Sequence, residues 1–163
     1  MSAPKGFTLI ELLVVLAIVA LLALMAVPRQ FADAGKEQVA ESLKMLDALK
    51  TKVEVFHEAG GLLPERNEDA ELPAADKLIG NYVSSIDMQN GAFHIHFGNK
   101  ATQALQGKIL TVRAAVVRDS PQTPIAWICG YSALPSGMVA AANDRTSVGP
   151  LLLPMDCRGV GNH

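Results

Sequence analysis

The sequence lacks the charge excess that marks two large classes of protein. Its 14 basic and 16 acidic residues leave a formal net charge of -2 over 163 residues. Without a basic excess, the composition does not indicate a nucleic-acid-binding protein, and without an acidic block it does not indicate a disordered acidic tail. The length fits one domain of ordinary size with an appendage.

Motifs of catalytic and metal sites are missing as well. The only cysteines are Cys129 and Cys157, and no CxxC pair or Cys/His cluster has the spacing of metal ligands. Serine, histidine and aspartate occur outside any nucleophile motif, so we expect no enzyme, no cofactor and no metal site. His94 and His96 share one face of a predicted strand, where we expect structural or solvent-facing roles. The cysteines are compatible with free core thiols or with a disulfide, which export would favour.

Hydrophobic residues make up 50% of the chain but are unevenly spread. Residues 7–28 are apolar except for Thr8 and Glu11, and a short leader of residues 1–6 with one charge, Lys5, precedes them. About 20 helical residues span the hydrocarbon core of a bilayer, so this run predicts a transmembrane helix. A secretory signal peptide is the rival interpretation. The acidic residue inside the run and a length beyond about 7–15 apolar residues count against it.

Residues 29–59 alternate charged and apolar positions. Their apolar residues recur at steps of three and four: Val39, Leu43, Leu46, Leu49, Val53 and Phe56. This spacing predicts an amphipathic helix that ends at Gly60 and Gly61. We expect both segments to form one long helix, interrupted or bent near Pro28. Pro28 removes a backbone donor and Gly35 weakens the helix further, so this stretch is either a site of flexibility or a simple kink at the membrane surface.

Residues 60–163 are predicted to form a globular head. Residues 60–85 indicate a long loop, with a short helix near residues 74–78. Three strand-like runs follow within residues 91–131: Ala92–Phe97, Ile109–Val117 and Ile125–Cys129. Residues 132–163 are rich in Gly, Pro, Ser and Asn and indicate an irregular loop. The predicted fold class is α+β, with a long N-terminal helix packed on a small antiparallel β-sheet.

Two parts of the sequence resemble one protein family. The segment GFTLIE at residues 6–11, continued by the apolar run, resembles the processing and assembly signature of type IV pilins, a class III signal peptide. The segments GAFHIHFGNKA, LQGKILTV and PIAWICGY resemble the sheet of the type IVa pilin family. Cys129 and Cys157 resemble that family's disulfide, which closes a C-terminal loop. We expect Trp127 to pack over this disulfide and the core.

The resemblance implies a role for each residue near the start of the chain. A prepilin peptidase would cleave after Gly6, and the new N-terminal residue Phe7 would be N-methylated. An acidic group inside a membrane helix costs about 2–3 kcal/mol and usually has a partner. For Glu11 that partner is the new α-amino group, either of the same subunit or, as the resemblance favours, of the neighbouring subunit. In filaments of this family the stretch around Pro28 and Gly35 can be extended.

The implied function is that of a structural subunit of a type IV pilus, used for adhesion, twitching motility and DNA uptake. The precursor would lie in the bacterial inner membrane and the product in an extracellular pilus. Its partners would be copies of itself in a helical filament, the pilus assembly machinery, and DNA or a host surface. The alternatives are a minor pilin, a type II secretion pseudopilin, which the cysteine pair disfavours, and a DNA-receptor pilin. The last would need its scattered basic residues to converge: Lys100, Lys108, Arg113, Arg118, Arg145 and Arg158.

Overall fold

A computed structural model describes residues 6–159, with backbone alone over residues 25–32. Met1–Lys5 of the predicted leader, residues 160–163 and the side chain of Pro28 lie outside the described part. The elements in chain order are α1 (Leu9–Lys44), α2 (Asp47–Gly60), β1 (Val83–Gln89), β2 (Ala92–Phe97), β3 (Ile109–Val116), β4 (Ala126–Cys129) and β5 (Val139–Ala140). Short 3-10 helices occupy Asn67–Ala70, Ala75–Lys77, Pro150–Leu152 and Met155–Cys157. The predicted α+β fold is confirmed.

The long helix is divided at a different place from the one expected. Its backbone continues through Pro28 without interruption. Helix α1 instead ends at Lys44, and Met45 and Leu46 separate it from α2. At the junction the amides of Met45 and Leu46 donate to carbonyls three residues back, at 3.2 and 3.0 Å, which tightens the helix locally into a 3-10 turn. One turn earlier, the Ser42 hydroxyl donates to the Gln38 carbonyl at 2.8 Å, a bond that bends helices. The helix is therefore not interrupted at Pro28, while a bend there stays a prediction.

The amphipathic half of the helix packs against the sheet as its spacing predicted. Val39, Leu46 and Val53 are fully buried, and α2 ends at Gly60, where the positive φ of the following Gly61 caps the helix as expected. The opposing face of the sheet contributes the rest of the core, and its largest buried side chains are Ile86, Phe93, Ile95, Leu110 and Val112. One hydrophobic core thus joins the helix to the sheet.

The sheet is antiparallel with strand order β1-β2-β3-β4, and β5 pairs with β3. Two of its strands were not predicted. β1 begins in the last three residues of the predicted loop 60–85 and continues through residues 86–89, for which no element was predicted, and β5 lies within the C-terminal loop. The signal for β1 was present, because Asn90-Gly91 between two apolar runs is a strong hairpin signature and a hairpin needs a strand on each side. Both turn residues have the positive φ angles that such a turn requires.

The C-terminal tail lies against part of the second face of the sheet, around Thr111. In the registers, Asp87 lies opposite His94, which lies opposite Thr111 on this outer face. The tail leaves β4, pairs with the far end of β3 through β5, and returns so that residues 145–148 run beside the start of β3. His94 and Thr111 are therefore buried although they lie on the face away from the helix.

Asn67 ties the loop after α2 to the edge of the sheet. Its side-chain amide donates to the carbonyls of Ile86 and Pro73, at 3.2 and 2.9 Å, and its side-chain oxygen accepts from the Met88 amide at 2.7 Å. Asn67 is buried, and its bonds to Ile86 and Met88 are buried as well, so these two backbone groups have no ready access to water. One side chain therefore takes the place of a backbone partner along the outer edge of β1.

Replacing Asn67 with alanine should destabilise the head substantially. The Ile86 carbonyl and the Met88 amide, both in buried hydrogen bonds, would lose their partner together with the part-buried bond to Pro73, and we expect a loss of about 2–4 kcal/mol in the free energy of unfolding. Chemical denaturation of the full-length chain in detergent, followed by circular dichroism, measures this. Asn81→Ala is the matched control. Asn81 is exposed and donates to exposed Glu41, so its loss should cost about 0.5 kcal/mol or less. Equal effects of the two variants would contradict the structural role of Asn67.

Candidate functional site: the exposed helix and the C-terminal tail

The start of α1 is fixed by a capping box. Thr8 is the N-cap residue, and its hydroxyl accepts from the Glu11 amide at 3.3 Å. In return, Glu11 Oε2 accepts from the Thr8 amide at 3.5 Å and from the Thr8 hydroxyl at 3.3 Å. The spacing of Thr8 and Glu11 is the sequence signature of this motif, which our sequence reasoning had not used. Gly6 and Phe7 lie before the cap, outside the helix.

The first half of α1 exposes its hydrophobic side chains on every side. Their exposed fractions run from 49% at Val15 to 77% at Leu9, and Leu24 is still 73% exposed. A helix that is hydrophobic all round is normally buried in protein or lipid. This segment therefore has a large apolar surface that the head does not cover.

The structure does not show the transmembrane helix predicted at residues 7–28. Within the residues that it describes, no helix combines the length and the hydrophobicity needed to cross a membrane.

Gly35 has a packing role that the sequence did not suggest. The glycine is buried, and the side chain of Leu152 lies directly above it: a Cβ atom built on Gly35 would stand 3.0 Å from Leu152 Cδ2. The absence of a side chain lets the Pro150–Leu152 turn lie close to α1. The structure thus shows a contact between helix and tail at this glycine, while the flexibility predicted for Pro28 and Gly35 stays a prediction.

The two cysteines form the expected disulfide. Cys129 at the end of β4 is bonded to Cys157, 28 residues later, in the last 3-10 helix. Hydrogen bonds run beside this link, since the Tyr131 amide donates to the Cys157 carbonyl at 3.0 Å and the Ser132 hydroxyl donates to the Asp156 carbonyl. The disulfide closes the C-terminal tail into a loop. Val148 and Leu153 also anchor the tail, because both are fully buried in the core.

Trp127 lies between the helix and the sheet. Its ring stacks on Phe93 with centroids 5.6 Å apart, and its Nε1–H donates to Glu54 at 2.8 Å. Lys50 Nζ lies 5.8 Å from the ring centroid, within the range of a cation–π interaction. The expected packing against the core is confirmed. Trp127 also lines a cavity of about 270 Å³ together with both cysteines.

The two histidines of β2 have different environments. His96 Nε2 lies 2.5 Å from Asp87 Oδ1, and both side chains are partly exposed. His94 is almost fully buried, and its Nδ1 lies 2.9 Å from the Thr111 hydroxyl oxygen. Burial is the main cause that lowers the pKa of His94, with Arg145 and His96 acting in the same direction and Asp87 and Asp144 opposing them.

Comparison with known proteins accounts for this combination of exposed helix, sheet and closed tail. Residues 35–158 match the pilin family, described as a bacterial filament, and residues 1–27 match the prokaryotic N-terminal methylation motif. This chain belongs to the pilin family. As a pilin, it is a structural subunit of a pilus.

Named relatives match the pilin over most of their length. A type IV major pilin protein PilE1 of Neisseria gonorrhoeae is 31% identical over 159 residues, which are 94% of this chain and 93% of the relative. A fimbrial protein of Neisseria meningitidis serogroup B is 30% identical over 144 residues, covering 88% and 82% of the two chains. The fimbrial protein EcpC of Eikenella corrodens is 29% identical over 147 residues, covering 85% and 92%.

Two of the six basic residues considered for DNA binding have structural partners in this pilin. Arg113 is half-buried and its guanidinium donates to the carbonyls of Gly130 and Ser132. Arg158 Nε donates to the Leu153 carbonyl at 2.8 Å. Both side chains stabilise the turns around the disulfide, so a structural role accounts for these two arginines without bound DNA.

Proposed function

We propose that this pilin is made as a membrane-anchored precursor in the bacterial inner membrane and polymerises through α1 into an extracellular type IV pilus. The observation that carries the proposal is the apolar surface of residues 7–24, which is exposed in the single chain. Packing this surface against α1 of neighbouring copies would bury it in a filament, and lipid would cover it before assembly. Relatives from Neisseria gonorrhoeae are named type IV major pilins, and we infer that this chain is also the abundant subunit. Its role is then structural and not catalytic.

The site for processing is Gly6-Phe7, just before the capping box. Gly6 and Phe7 are exposed and non-helical, so a protease can reach an extended backbone there. We propose cleavage after Gly6 by a prepilin peptidase and N-methylation of Phe7. The match to the methylation motif over residues 1–27 supports both steps. The assembly machinery of the inner membrane would then take up the processed subunit.

Glu11 is proposed to pair with the α-amino group of a neighbouring subunit. α1 begins only at Leu9, so Phe7 does not share a helical turn with Glu11, which disfavours the amine of the same chain. The two capping hydrogen bonds both use Oε2, which leaves Oε1 to accept from an amine. A charge pair in an apolar helix bundle would fix the axial register of the subunits, because an unpaired charge there is costly.

Sheared filaments should contain a chain that is shorter by Met1–Gly6, carries one extra methyl group at Phe7, and is one charge unit more negative because Lys5 is lost. Intact-mass spectrometry and N-terminal sequencing of purified filaments measure these changes. A filament subunit that retains Met1–Gly6, or one cleaved near Ala26, would contradict the proposed processing. A minor subunit would instead be processed in the same way but be scarce in filaments.

Adhesion, twitching motility and DNA uptake are proposed downstream roles of the filament. The tail and its loops lie on the surface of a rigid head, where binding residues are commonly found. A strain that lacks the gene for this pilin, tested for surface attachment, motility and transformation, separates the three roles. Purified filaments tested for DNA binding at several salt concentrations distinguish a DNA receptor, whose affinity should fall steeply with salt.

A further inference from the structure

His94 begins a chain of hydrogen bonds that is buried at the histidine, becomes part-buried further along, and ends in the tail. Its Nδ1 lies 2.9 Å from Thr111 Oγ1, and this hydroxyl oxygen also accepts from the Arg145 amide at 3.1 Å. The Thr111 amide in turn donates to the Thr146 hydroxyl at 3.1 Å. Thr146 is held by Asp144, which accepts from its amide at 2.9 Å and from its hydroxyl at 2.5 Å. These contacts therefore link Thr111 on β3 to residues 144–146 of the tail.

This chain of hydrogen bonds fits a neutral His94. Thr111 Oγ1 accepts from the Arg145 amide and still has one proton to donate, and His94 Nδ1, within hydrogen-bond distance, is the acceptor for that proton when the ring is neutral. If Nδ1 carried a proton, the hydroxyl would have to accept twice, and its own proton would need another acceptor at a residue that is fully buried. The ring would also become charged in a site with little access to water.

Further along the tail, Ser147 and Val148 extend the same attachment. The Ser147 hydroxyl accepts from the Ile109 amide at 2.9 Å, and the Ser147 amide donates to the Ile109 carbonyl at 2.8 Å. Val148 follows immediately and is fully buried in the core. Residues 144–148 therefore form one latch, which covers the outer face of the sheet next to His94.

We propose that His94 makes this latch sensitive to acid, so that protonation of its ring releases residues 144–148 from β3. Charged groups face His94 from three elements. Asp87 on β1 favours the protonated ring, as does Asp144 of the tail, whereas His96 on β2 and Arg145 of the tail oppose it. Burial of the His94 ring also opposes its protonation.

The sign of the pH dependence follows from the difference between the latched and released states. In the released state His94 has its ordinary pKa of about 6.5. In the latched state burial lowers the pKa. The released state therefore binds the proton more readily, and the latch weakens as the pH falls through the ordinary value. The weakening stops below the pKa of the latched state, where both states are protonated.

Amide hydrogen exchange of the full-length chain in detergent at pH 7.5, 6.5 and 5.0 tests the latch. After correction for intrinsic exchange, protection at Arg145 and Thr146 should fall as the pH falls. The fall should be about tenfold for each unit by which latching lowers the pKa of His94. In His94→Asn, whose side-chain oxygen can accept from Thr111 at any pH, the pH dependence should disappear.

A second histidine on the same strand supplies the control. His96→Asn removes the contact with Asp87 but leaves the chain from Thr111 to Arg145 intact, so the pH dependence should persist in this variant. Constant protection at Arg145 across the pH range in the wild-type chain would overturn the proposal. So would an equal pH dependence in the wild type and in His94→Asn. If His94→Asn does not fold, the wild-type measurement and His96→Asn decide the question alone.

Discussion

Filaments should be lost when Glu11 is replaced by alanine. If its carboxylate pairs with the α-amine of a neighbouring subunit, the substitution leaves that amine unpaired inside the apolar filament. Removing one partner of such a pair should lower the subunit association constant by at least about a hundredfold. Electron microscopy and the yield of sheared filaments measure this, with the amount of chain in the membrane fraction as the reference.

Two further variants separate the charge of Glu11 from its role in the capping box. Glu11→Gln retains a side chain that can accept from the Thr8 amide, since glutamine also completes this motif, but it removes the charge. Thr8→Ala keeps the charge and removes the cap, which should cost about 1 kcal/mol at the helix start. We expect Glu11→Gln to fail in assembly and Thr8→Ala to assemble. Normal filaments from Glu11→Gln would show that the charge does not set the register.

Loss of the disulfide should have the second large effect. The link closes a loop with a sequence separation of 28 residues. By the chain-entropy relation, a loop of this size contributes roughly 3–4 kcal/mol to the free energy of unfolding. The Cys129→Ala/Cys157→Ala variant should still fold, because Val148 and Leu153 remain buried, but its exposed segment 133–137 should become sensitive to proteases. Denaturant unfolding and limited proteolysis of purified filaments measure both effects.

The oxidised wild-type filament is the control for this comparison, and reduction of the same filament should reproduce the effect of the double variant. Alkylation of unreduced filaments should find no free thiol. Two free thiols in each subunit would contradict the disulfide, and an unchanged proteolysis pattern after its removal would show that the buried residues of the tail suffice to hold it.

Sequence patterns predicted those parts of the fold that rest on local chemistry. The spacing of Val39, Leu46 and Val53 identified the buried face of the helix, and Gly61 its end, because both depend on residues within a few turns. The strands β2, β3 and β4 were found with their ends within about one residue. β1 was missed because its first half is mostly polar, and because the signal that it pairs with β2 is the Asn90-Gly91 turn between them.

The contacts that could not be predicted join residues far apart in the chain. From the sequence, Gly35 was predicted to weaken the helix, since no residue close to it in the chain indicates that Leu152 will pack on it. Asn67 lies in a polar stretch with no pattern, and its three partners appear only when β1 is in place. The chain of bonds from His94 to Arg145 likewise depends on the path of the tail across the sheet. Tertiary contact, and not local propensity, decides these positions.

Asn67 also affects how the heads behave in a filament, where their local concentration is very high. A filament brings many identical heads together, and an open strand edge on each would invite neighbouring sheets to join in uncontrolled β-aggregation. Asn67 occupies the hydrogen-bonding groups of Ile86 and Met88 on the outer edge of β1, while the irregularity between Val83 and Ser85 disturbs the strand nearer its start. A single buried amide thus leaves fewer open hydrogen-bonding groups on this edge, so pairing between heads would compete less with the polymerisation through α1 proposed above.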